Sequence, residues 1–297
     1  MATNGKRYSI SVCVIAQNNE GIIRRCLDSC TWANEIILVD GGSTDATVEI
    51  AREYGARVYM RPYDFSAHQY NYGAARADSD WVFVVDSDEV ITPQLAEEIQ
   101  QLLGGPQPPY SAYKVPRKLI DHGQWLPCCG TYPDSTVRLF AAGQFAYALA
   151  RVHAGGLEKE RYGVLRHPLL HYSFADLADH IARMNRHTTR AALDAYDRGR
   201  RPGYAYLLAR FCLGFWYEYL VRGGIRHGVP GLMYSVVRAT EVFTKYAKVW
   251  ELANGTSAID LESETARKQA ADRSILEDEK QPDFLRQHAA EGKAINQ

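Results

Sequence analysis

The sequence predicts an α/β protein, with a mostly parallel sheet flanked by helices and a helical extension at its C-terminal end. Three observations carry this. Unbroken apolar runs at 9–16, 35–40 and 81–86 read as strands buried on both faces. Stretches of helical period separate them, so strand and helix alternate through the N-terminal third. After residue 173 the pattern is helical to the end.

Residues 9–16 are β-branched and apolar, which suits the first strand better than a signal peptide, since no small-residue cleavage site follows. Ile22, Ile23, Cys26, Leu27 and Cys30 then recur at helical spacing over 20–30. The run 35–40 (EIILVD) is a second strand, and Gly41-Gly42-Ser43-Thr44-Asp45 supplies a tight turn and a cap for a helix over 46–54. A short strand over 57–60, a helix over 66–77 and a strand over 81–86 follow. Thr92-Pro93 starts a helix with threonine as cap and proline in its first turn, and Gly104-Gly105 stops it. Short runs at 112–116, 136–140 and 165–172 read as strands that finish the sheet. These assignments divide the chain into 1–172 (the α/β part), 173–254 (helical) and 255–297, a polar, solvated helix with a frayed tail.

The formal net charge of −1 excludes a globally basic nucleic-acid binder. The six cysteines form no CxxC pair and read as reduced thiols of a cytoplasmic protein. Cys128, Cys129 and His122 lack the second ligand pair that a structural zinc site needs.

Parallel sheets bind ligands along the edge where their strands end. Three polar clusters fall there: 17–20, 40–45 and 86–89. Asp86 and Asp88 stand two residues apart at a strand end, so both carboxylates can approach one point. Oxygen donors of this kind suit Mg²⁺ or Mn²⁺, and a divalent ion neutralises a departing diphosphate. The alternative is an acidic, solvated turn before a helix.

The segments SISVCVIAQNNE, EIILVDGGSTD and DSDWVFVVDSDE, in that order, resemble family 2 glycosyltransferases of GT-A fold. The stretch from Trp125 to Asp134, then Arg138-Leu139-Phe140, Val152-His153 and Leu170-His171-Tyr172, is similar to bacterial lipopolysaccharide-core β-glucosyltransferases. The resemblance implies an inverting sugar transferase with a nucleotide-sugar donor, most simply a UDP-sugar, and Mn²⁺ or Mg²⁺. It implies that Ala16, Asn18 and Glu20 line the base pocket and Asp40 faces base or ribose. Asp86 then lies near the ribose, and Asp88 holds the metal with it. The acceptor is a saccharide or lipid-linked hydroxyl. Its general base is sought among Asp134, His153 and Glu158. For Asn18 and Asp40, loop capping is the competing role; for Asp134 it is an ion pair with Arg138, and for His153 a buried, hydrogen-bonded place in the core. Gly41 stands where many members carry a second aspartate, and Ala154 where related lipopolysaccharide enzymes carry glutamate. These departures keep a noncatalytic, membrane-associated scaffold as the alternative.

Six arginines between 183 and 201 precede the aromatic run 204–221. Basic residues beside an aromatic amphipathic helix suit an anionic membrane surface. Arg210 and Glu218 interrupt the run, so a peripheral position at the inner face of the bacterial cytoplasmic membrane is expected rather than a crossing.

Overall fold

The structure is a computed structural model that describes residues 7–121, 123–151, 155–157, 161–174 and 176–290. They form two compact units. The first holds the described residues of Met1–Arg117, Ser135–His171 and Ala270–Gln297, and the second those of Lys118–Asp134 and Tyr172–Gln269.

The first unit opens with β1 (Ile10–Ala16), α1 (Ile23–Asp28), β2 (Glu35–Asp40), α2 (Thr47–Glu53), β3 (Arg57–Met60), α3 (Ser66–Ala74) and β4 (Trp81–Asp86). β1 lies between β2 and β4, β3 pairs with β2, and all four run parallel. The unbroken apolar runs have a direct cause in the packing. Val12 and Val14 of β1 enter one core with Ile23, Leu27 and Phe83, while Cys13 and Ile15 enter the other with Val39, Val84 and Phe140. Each such side chain contributes roughly 2 kcal/mol by leaving water. On the second face α3 comes so close that a Cβ on Gly73 would lie 2.1 Å from Cys13 Sγ.

The turn after β4 leads into β5 (Glu89–Ile91) and α4 (Pro93–Gly104). Thr92 caps α4 through a bond from the Leu95 amide to its hydroxyl at 3.2 Å. Next come β6 (Ala112–Asp121), β7 (Gln124–Trp125), β8 (Asp134–Ala141), β9 (Gly163–Val164) and β10 (Leu169–His171). The order β3-β2-β1-β4-β8-β6-β10-β5 places the antiparallel additions beside a parallel centre. This is the expected α/β arrangement, a mostly parallel sheet flanked by helices. β5 was not legible in the sequence, because it is only three residues long and its first, Glu89, belongs to the acidic cluster.

The second unit contains α5 (Leu177–Asp197), α6 (Tyr204–Trp216), a π-helical turn (Tyr217–Val221), a 3-10 turn (Gly224–His227) and α7 (Gly228–Ala253). α5 and α7 pack through Ala192, Leu193, Ala195, Val249 and Leu252. The expected break at 228–230 is the first turn of α7, where proline lacks only an amide that has no helical partner. Cys128 and Cys129 are buried in an apolar cluster with Leu119, Leu126, Phe174 and Tyr234. α6 buries no residue at all. Among the described residues no helix is long and apolar enough to cross a membrane.

α8 (Leu261–Leu276) and α9 (Asp283–Ala290) follow. The part from Ala270 onward belongs to the first unit. The expectation of a solvated helix there is corrected: Ala271, Ile275 and Leu285 are buried, the last two with Ala146, beside Tyr72 and Phe284. Polar ties reinforce this, from His68 Nε2 to Asp272 at 2.9 Å, Arg76 to Asp278 at 2.8 Å, and Gln281 to the Asn71 carbonyl at 3.2 Å. A charge-mixed composition hides an apolar face only two residues wide.

Candidate active site

The ends of β1, β2 and β4 come together because β1 is paired on both sides in register. Side chains then stitch the loops to one another. The Asn18 amide donates to Ser43 Oγ and its side-chain oxygen accepts from the Thr44 amide, both at 2.8 Å. Asn18 holds a positive φ of 54°, a conformation asparagine tolerates better than most residues. Asn19 Oδ1 accepts from Ser87 Oγ at 2.9 Å, which ties the first loop to the turn after β4. Glu20 accepts from the Ala46 amide at 3.0 Å, at the start of α2. Ala16 is buried, and its carbonyl accepts from the Gly41 amide.

Asp40 is fully buried. Its carboxylate accepts from the amides of Gly42 and Ser43 at 2.8 Å and from Ser43 Oγ at 2.5 Å. Asp40 therefore builds the turn, the capping role weighed for it. Gly41 has a steric cause: a Cβ there would lie 2.9 Å from Tyr63 Cβ and 3.0 Å from Gln17 Cβ. Gln17 and Tyr63 fill the space that an aspartate side chain would need.

At the end of β4 the three carboxylates have separate environments. Asp86 accepts from Tyr70 Oη at 2.6 Å and from Arg138 Nη2 at 2.8 Å. Burial pushes the Asp86 carboxyl up, but Arg138 and Tyr70 outweigh it and hold its pKa below the usual value. Glu89 is fully buried, pairs with Arg138 at 2.7 Å and Arg117 at 3.3 Å, and accepts from the Asp86 amide. Arg138, weighed as a partner for Asp134, thus bonds Asp86 and Glu89. Asp88 lies 3.5 Å from His171 Nε2. Burial lowers the His171 pKa, yet Asp88 and Glu89 more than offset this and the net shift is upward.

Sequence reasoning missed Tyr70, Arg117, Arg138 and His171 as parts of this cluster. The signal for His171 was its place at the end of a short apolar run, but its proximity to Asp88 comes from the β5–β10 register, which sets His171 opposite Glu89. Among the described residues no group of three or more His, Cys, Asp or Glu side chains is arranged to hold a metal. Asp88 and His171 alone offer a carboxylate oxygen and an imidazole nitrogen, a donor set that fits Mn²⁺ when the remaining positions come from phosphate and water. Asp134 is the first residue of β8 and belongs to the second unit. His153 and Glu158 lie outside the described residues.

Residues 11–127 match the family described as Glycosyl transferase family 2. The chain is 26% identical over 252 residues to the lipopolysaccharide core biosynthesis glycosyltransferase LpsC of Rhizobium meliloti, covering 82% of this chain and 93% of that one. It is 24% identical to an uncharacterized glycosyltransferase of Rickettsia bellii, covering 82% of this chain and 87% of the other. Among solved structures, S. aureus TarS 1-349 is similar with a TM-score of 0.44 and 13% identity, over 84% of this chain and 93% of that one.

Proposed function

We propose that this glycosyltransferase moves a sugar from a nucleotide-diphosphate donor, a UDP-sugar, to a hydroxyl of a saccharide or lipid-linked acceptor, with inversion. Assembly of cell-envelope polysaccharide or lipopolysaccharide is the setting that the likeness to LpsC supports. The place of work is the anionic inner face of the cytoplasmic membrane, and the exposed apolar surface of α6 supports this.

The base is received by Ala16, Asn18 and Glu20, on the loop that Asp40 and Ser43 brace. Asp86 lies near the ribose, its carboxylate kept ionised by Arg138. Asp88, with His171 beside it, would hold Mn²⁺ or Mg²⁺. When bound, the ion neutralises charge on the departing diphosphate. Asp86 acts as the inner carboxylate of the pair, since Tyr70 and Arg138 occupy both its oxygens. Asp134 is the base that takes the proton from the attacking acceptor hydroxyl, with Glu158 and His153 as the other candidates. The acceptor oxygen forms the new bond opposite the breaking bond to the diphosphate, and the carbon between them inverts.

The single observation that carries this is the Asp88–His171 pair on the same sheet edge as the braced loops. The test is thermal melting with UDP, with other nucleoside diphosphates and with Mn²⁺. Stabilisation by UDP that requires Mn²⁺ is expected, and Asp88→Ala abolishes it while keeping the unliganded melting point. An identical shift in that variant sinks the metal assignment. Donor hydrolysis in Mn²⁺ separates an enzyme from the scaffold, which hydrolyses nothing.

A further inference from the structure

The second unit contains an open groove of about 900 Å³ between α6, the π-helical turn and α7. Its wall is largely apolar, built from Leu213, Gly214, Trp216, Leu220, Ala239 and Val242. Three guanidinium groups also line it, from Arg210, Arg222 and Arg238. The π-helical turn widens the backbone at this point, a feature common at functional sites.

Gly214 is a second sign that the groove is kept open. A Cβ built there meets nothing within 4 Å. Glycine weakens a helix interior, so a larger residue would be favoured by helix stability alone and no neighbour forbids it. The residue supplies space.

We propose that this groove seats one anionic phospholipid of the membrane, its hydrocarbon chain against Leu213, Gly214 and Ala239 and its phosphate at Arg210 and Arg222. The claim deepens the membrane part of the proposed function and rests on that part alone, independent of sugar transfer. Charge complementarity selects the occupant. Arg210 has no carboxylate partner among the described residues and stands over the Tyr206 and Tyr246 rings at 6.0 and 5.9 Å. Arg222 lies 4.0 Å from the nearest oxygen of Glu218. Arg238 is held by Glu241. Glu218 is the one carboxylate in the lining; its Oε2 is buried without a hydrogen-bond partner, and burial raises its pKa toward the neutral form. The groove is thus apolar with a positive rim. A second copy docked on the same face by a twofold axis would oppose these arginines to themselves. A peptide would bury unpaired backbone groups along the apolar wall. A lipid meets both requirements, and the exposed Leu213 (68%), Trp216 (54%) and Val221 (72%) continue the apolar surface outward, with Trp216 suited to the interface level.

The test uses the full chain. Phosphatidylglycerol with short chains, monomeric in water, is titrated by calorimetry; in parallel, phosphatidylglycerol and phosphatidylcholine vesicles are sedimented with the protein. One equivalent of short-chain phosphatidylglycerol is expected to bind. Affinity is expected to fall at least about tenfold in Gly214→Leu, and about fivefold in each of Arg210→Gln and Arg222→Gln. Gly214→Leu raises helix propensity, so a maintained melting point shows that lost binding is not unfolding. Equal binding in Gly214→Leu, or equal binding of short-chain phosphatidylcholine, overturns the proposal. Vesicle binding without a single-lipid site also overturns it, while leaving the membrane partner intact. A dimer in light scattering that Gly214→Leu dissociates gives the groove to a second copy and overturns it as well.

Discussion

The two units treat apolar and charged residues in opposite ways. In the first, consecutive apolar residues of β1, β2 and β4 vanish into two cores, and the carboxylates gather at the strand ends with named partners. In the second, α6 buries nothing, and Tyr204, Leu213 and Val221 are among its most exposed neighbourhood. Apolar surface left in water offers no stability to the folded chain. Buried charge, by contrast, is kept only where it is paired, and here the pairing shapes the acidic strand end.

The largest expected effect lies in the first unit. Arg138→Met leaves Glu89 buried without its closer cation and releases one oxygen of Asp86. Chemical denaturation is expected to show a loss of about 3–5 kcal/mol. A loss below about 1 kcal/mol would mean that the cluster is not structurally coupled.

Next comes the docked C-terminal segment. Ile275 is fully buried beside Ala146 and Leu285. Ile275→Ala is expected to cost about 2–5 kcal/mol, read from the same denaturation curves. A solvated helix would lose almost nothing.

The second unit has its own test in pH. Burial pushes the Glu241 carboxyl up, but His187 and Arg238 outweigh it and hold its pKa at about 2, against an ordinary 4.5. A depressed carboxylate stabilises the fold above its unfolded pKa, and that stability fades as pH falls through the folded one. Stability should therefore drop between about pH 4.5 and 2, by up to about 3 kcal/mol. Glu241→Gln should flatten this part of the acid melting profile; an unchanged slope in the variant removes the assignment.

The smallest effect on stability falls on the exposed face. Leu213→Ser is expected to change the unfolding free energy by less than about 0.5 kcal/mol. Its sedimentation with anionic vesicles should fall by several-fold, since the residue is largely exposed. A large loss of stability would show that α6 is packed in solution, and the contrast between the units would disappear.

The sequence by itself determined the parallel centre of the sheet. Residues 35–40, 57–60 and 81–86 are strands with the expected bounds, because a strand buried on both faces has to be written as an unbroken apolar run. Thr92 and Pro93 announced α4 because capping is local chemistry. The acidic strand end and the polar loops were legible for the same reason. Tertiary structure alone decided that His171 stands beside Asp88, that Arg138 and Tyr70 claim Asp86, and that residues from 270 onward fold back to meet His68, Asn71 and Arg76. These contacts join residues 16 to 210 positions apart. Strand register and packing set them, and a chain read in order carries no local mark of which distant charge will arrive.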